Sequence, residues 1–124
     1  MNNVAENEMV KELFAKIDFL CYITRISLYN VEWYAELEKE SLSKENRFST
    51  NLGFYSLSQI AKLFEVSIDD LLNEPIYNFT RKVRIAILKK EIKEMEDELE
   101  RELEEKRKLY MAKYGKDYVA PYVT

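Results

Sequence analysis

The sequence predicts an all-α protein. Glycine and proline are nearly absent, with two of each in 124 residues, which leaves little material for hairpins or tight turns. Leucine, glutamate and lysine, all good helix formers, are abundant. Apolar residues also recur at spacings of three and four along most of the chain, the period of a helix face. With 47% hydrophobic content the chain is long enough for one domain with a real core plus an appendage.

Each element can be placed in turn. Leu13, Ile17, Leu20 and Thr24, with Phe14 and Cys21 beside them, follow helical spacing through Ile26 and form the first helix. Ser27 is positioned to cap a second, whose inner face carries Leu28, Val31 and Ala35. A third is expected from Glu38, with Leu42 turned inward. Ser56 and Gln59 then fit a capping box for a fourth, in which Leu57, Ile60, Ala61 and Phe64 make one stripe. Ser67 and Asp70 repeat that signal for a short fifth helix, which docks Ile68, Leu71 and Leu72 and stops at Pro75.

Beyond Pro75 the pattern changes. From Thr80, a candidate cap, to Tyr114 there is neither glycine nor proline, and Ile85, Leu88, Ile92, Met95 and Leu99 recur at alternating spacings of three and four. Leu103 follows Leu99 by four, so the seam slips and continues toward Tyr110 and Tyr114. A seam this narrow on so long a helix predicts a homodimer held through Ile85, Leu88, Ile92, Met95, Leu99 and Leu103. The division expected is therefore residues 1–75 as one domain and 76–124 as a dimerisation helix with a short tail, in which Tyr118 and Tyr122 flank Pro121.

Composition excludes several kinds of chemistry. Cys21 is the single cysteine and there is no histidine, so an intrachain disulfide is impossible and a zinc site would rest on carboxylates alone. There is no glycine-rich phosphate loop and no nucleophile with an evident base, and the carboxylates follow helical charge patterns; no catalytic residue, metal or cofactor is expected. The amino terminus is polar and the longest purely apolar run is FLCYI at residues 19–23, which predicts neither signal peptide nor membrane span and a cytoplasmic location.

The order and punctuation of the first five helices resemble the Cro-like helix-turn-helix family of phage repressors and their bacterial relatives, the XRE family. LFAKIDFLCYITRIS takes the place of the first helix and turn, SLYNVEWYAEL the second helix, EKESLSKENR the recognition helix, and SLSQIAKLFEVSIDDLL the closing pair. Four positions depart from the family pattern. Glu36 stands at the turn glycine, Glu32 at a buried alanine of helix two, Glu45 at a buried aliphatic of helix three, and Phe48 at the glycine after it. The resemblance implies a dimeric repressor reading double-stranded DNA, with Lys39, Glu40, Ser43 and Lys44 at base edges, the Ser27-capped helix end on a phosphate and Arg47 on the DNA backbone.

Charge pulls the other way. Residues 1–75 hold seven basic and thirteen acidic side chains, a balance of −6, while residues 76–124 hold twelve and ten, a balance of +2. DNA-binding domains are usually basic, because released counterions supply most of their non-specific affinity. Arg81, Lys82 and Arg84, in the first turn of a helix starting at Thr80, call for a nearby anion, either phosphate or the acidic face of the domain. The alternative function is a phage or mobile-element adaptor that uses the scaffold to dock a basic protein partner.

Overall fold

A computed structural model describes the backbone of residues 4–115 and the side chains of residues 8–115. Five α-helices and one 3₁₀ turn follow in order: α1 (Val4–Thr24), α2 (Leu28–Tyr34), the 3₁₀ turn (Arg47–Ser49), α3 (Phe54–Phe64), α4 (Ile68–Asn73) and α5 (Ile76–Tyr114). The all-α expectation holds. No strand occurs among the described residues.

The expected third helix is the main correction. Residues 37–46 run as successive turns, in which the Ser41 N–H donates to Glu38 O, Ser43 to Glu40 O and Asn46 to Ser43 O. Leu42 is nevertheless fully buried, as the pattern required. Smaller differences concern helix starts. α3 begins at Phe54 with Gly53 as its N-cap, so Ser56 lies inside the helix, and its hydroxyl donates to the Ala35 carbonyl at 3.2 Å instead of capping. α5 begins at Ile76, not at Thr80, whose hydroxyl bonds back to the Tyr77 carbonyl.

Caps and reversals account for the other boundaries. Ser27 Oγ accepts from the Asn30 N–H at 3.2 Å and Ser67 Oγ from Asp70 N–H at 2.9 Å, as their spacing predicted. α2 and α3 both end in the same motif. A glutamate just past the helix, Glu36 at φ 57° or Glu65 at φ 57°, takes the left-handed conformation, and the next residue donates back across the last turn, Leu37 to Glu32 O and Val66 to Ala61 O. Glycine would fill such positions at no steric cost. Glu36 thus takes a turn conformation that usually favours glycine.

The chain divides into two compact units, Met1–Arg84 and Ile85–Thr124. The first extends past the expected boundary at residue 75 because the opening turns of α5 bury Phe79 and Val83. Its core joins Phe14, Ile17 and Leu20 of α1 with Val31 and Ala35 of α2, Leu57, Ile60, Ala61 and Phe64 of α3, and Leu71 of α4. Leu13 is only half-buried and Thr24 is exposed. A lysine sits inside: Lys16 donates to the Leu71 carbonyl at 3.0 Å and the Asp70 carbonyl at 3.3 Å, and its ammonium lies 5.4 Å from the Phe79 ring centroid. It satisfies carbonyls at the end of α4, where the helix dipole favours positive charge. Burial lowers its pKa, against the pull of Glu12, Glu74 and Asp70.

The second unit, taken by itself, is the remainder of α5 with the residues that follow. The tail residues Tyr118, Pro121 and Tyr122 lie outside the described residues.

Ile60 and Leu71 have no exposed surface, so Ile60→Ala or Leu71→Ala is expected to cost about 2–5 kcal/mol in urea unfolding. Lys44→Ala, at an exposed turn, should leave the midpoint unchanged. A second prediction concerns Cys21. Burial first, then Asp18, raises its thiol from an ordinary 9.0 to about 11, against an opposing effect of Arg47. Its neutral form therefore supports the fold fully below pH 9.0, and that support is lost as the pH rises toward about 11. The rate of Cys21 alkylation should climb through the higher range in the folded protein and the lower one in denaturant.

Candidate interaction surface

The segment between α2 and α3 is built on two buried charged side chains. Glu32, at the family's buried alanine, is 4% exposed, and its two carboxylate oxygens accept the backbone N–H groups of Glu40 and Leu42, each at 2.9 Å. Those bonds organise successive turns, and Glu40 itself sits at φ 67°, which a continuous α-helix does not admit. Arg47 closes the other end. Its guanidinium donates to Asp18 Oδ2 at 2.8 Å, to Asp18 Oδ1 at 3.0 Å and to the Leu42 carbonyl at 3.0 Å, and lies 5.1 Å from the Phe14 ring centroid. Phe48, at the lost glycine, packs edge-on against Phe14 and stays largely exposed.

These contacts decide where the expected DNA-reading residues lie. Lys39, Glu40 and Lys44 are exposed and Ser43 half-buried, all on turns rather than on one helix face. Arg47 is buried and committed to Asp18, a correction to its expected place on the DNA backbone. Ser27 spends its hydroxyl on the cap of α2, a helix of only seven residues. Because α5 starts at Ile76, Arg81, Lys82 and Arg84 stand beyond its first turn. Lys82 pairs with Glu74 at 3.1 Å and Asp70 at 3.4 Å, and hydrogen bonds to those two carboxylates raise its pKa. Arg81 stacks over Tyr77 and Arg84 over Phe19. The anion that the sequence called for is, at Lys82, the domain's own acid.

A different surface emerges on the outer side of α2. Val31 and Ala35 face the core, which turns Tyr29, Trp33 and Tyr34 outward, 52%, 70% and 41% exposed. Trp33 Nε1 donates to the Tyr29 hydroxyl at 3.1 Å. These two rings, with Glu32, Glu36, Leu37 and Lys39, line an open groove of about 430 Å³. Glu36 extends it, since a hydrogen bond to this carboxylate holds the Tyr55 proton and raises its pKa, with Tyr34 also close. Phe54, the neighbour of Tyr55, is 74% exposed. The helical spacing holds this signal, because the residues between Leu28, Val31 and Ala35 point the other way.

No metal-binding cluster of His, Cys, Asp or Glu occurs among the described residues, and none of their helices is long and apolar enough to cross a membrane. Comparison with protein-family models, curated proteins and solved structures found no match.

Glu32→Ala is expected to release both loop N–H groups. Amide exchange at Glu40 and Leu42 should accelerate well beyond that of the α3 core. The fold should lose about 1–3 kcal/mol, the usual range for a buried polar group left unpaired.

Proposed function

We propose that this chain is a protein-docking module built on a helix-turn-helix-like scaffold, and that the groove on α2 receives a basic segment of another protein. The observation that carries this reading is the exposed aromatic cluster Tyr29, Trp33, Tyr34 and Tyr55 arranged around the Glu36 carboxylate. Solvent-facing tryptophan and tyrosine at this density are typical of binding hot spots. A guanidinium is attracted both by the face of an indole ring and by a neighbouring carboxylate. The balance of −6 over residues 1–75 steers cations toward such a site and repels phosphates.

The second reading, a dimeric repressor of the Cro-like kind, is favoured by one observation: Lys39 and Lys44 are exposed on the segment that the family uses to read bases. In that case the lysines meet DNA from a loop, because residues 37–46 are not helical. No enzymatic step is proposed.

Trp33 is the chain's single tryptophan, so its fluorescence reports on the groove directly. An oligo-arginine peptide should change Trp33 emission saturably, an oligo-glutamate peptide should not, and Glu36→Gln should weaken the oligo-arginine response several-fold. The same protein is titrated with duplex DNA from its own locus and with scrambled duplex at two salt concentrations. Preference for the locus duplex, reduced by Lys39→Ala and Lys44→Ala while Glu36→Gln has no effect, would select the DNA-reading function instead.

A further inference from the structure

From Ile85 onward α5 displays an apolar stripe: Ile85, Leu88, Ile92, Met95 and Leu99 are 48–68% exposed. Single exposed leucines are ordinary, but a row at coiled-coil spacing is a seam awaiting a partner helix. The chain's own charges select both the partner and its direction.

Along α5, residues 81–90 carry five cations and no acid, residues 91–105 carry nine acids and two cations, and residues 106–114 carry four cations and no acid. A second copy laid parallel and in register would set each block against its own sign. The positions flanking the seam sharpen this. In a parallel pair Glu91 faces Glu96 of the other copy and Arg84 faces Lys89, both like-charged. In an antiparallel pair centred between residues 93 and 94, Lys89 instead faces Glu96, and symmetry makes the contact twice. Residues 82–90 of each copy then run beside the acidic residues 97–105 of the other. The like-charged contact of Glu91 with Glu98, also made twice, persists there, whereas the parallel arrangement has only like-charged ones.

The apolar layers agree with the same centre. Leu88 meets Leu99 of the second copy, Ile92 meets Met95, and the pairs repeat by symmetry. Ile85 meets Leu103, half a residue off centre, at the point where the spacing slips from three to four. We propose that a second copy of this chain covers the α5 stripe in antiparallel orientation, with Leu88 on Leu99 and Ile92 on Met95 of the other copy. The inference is separate from the docking reading, since it uses no residue of α2 or α3.

The test uses the full chain with Cys21→Ser, labelled with a nitroxide at Lys93→Cys or, separately, at Lys108→Cys. Both sites are exposed. At residue 93, next to the centre, the labels of the two copies should lie close together. At residue 108 they should be separated by about 44 Å along the axis, at 1.5 Å per residue. Short distances at both positions would establish a parallel pair and overturn the proposal; a monomeric mass with no dipolar coupling at either would overturn it too. Charge reversal gives an independent readout in sedimentation equilibrium. Lys89→Glu should weaken self-association several-fold, and adding Glu96→Lys should restore it. In a parallel pair Lys89→Glu would face Arg84 and strengthen association instead.

Discussion

The Glu32 carboxylate, closed over the N–H groups of Glu40 and Leu42, is the contact on which the character of the first unit turns. A carboxyl group at 4% exposure is costly unless its oxygens are satisfied, and here two backbone donors satisfy them. In a helix starting at Glu38 the Glu40 N–H would be unpaired in any case, so the departures from helix are the Leu42 N–H, taken by Glu32 instead of the Glu38 carbonyl, and the left-handed Glu40. An alanine at residue 32 would leave the segment free to coil. With glutamate there, and with Arg47 tying Leu42 O to Asp18, residues 37–46 become a braced loop. Leu42 still reaches the core, so the packing of α2 on α3 is kept while the helix between them is lost.

This explains how much of the fold was legible in the sequence. The stripe Leu57, Ile60, Ala61 and Phe64 and the serines at 27 and 67 were read correctly, because helical period and side-chain caps are local signals. The third helix was not, because neither the reach of Glu32 to the N–H groups of Glu40 and Leu42 nor the left-handed Glu40 shows in a short window of sequence. Glutamate, lysine and leucine between residues 37 and 45 favour helix intrinsically, and tertiary hydrogen bonding overrides them. The start of α5 was missed for a local reason. Pro75 ends α4 and also supplies the first carbonyl of α5, accepting from Phe79 N–H at 2.9 Å, so one proline serves both helices.

On α5 the sequence made the spacing legible, and the structure leaves those residues exposed as a stripe. The basic residues were less so. A formal charge in a sequence says nothing about whether a carboxylate already neutralises it, and Arg47 and Lys82 both prove to be paired within their own unit. The aromatic surface on α2 lay between these cases, implied by the residues opposite Val31 and Ala35 but requiring the α2–α3 contact to bring Tyr55 to Glu36.

Lys82 spans the joint at Pro75 as an ionic strut, one end rooted in α5 and the other touching Asp70 and Glu74 on the α4 side. The Lys82 side chain is more than half exposed, so the pair lies in water and its strength varies with the ions around it. Concentrated salt weakens the pair, whereas the burial of Phe79 and Val83 is not screened.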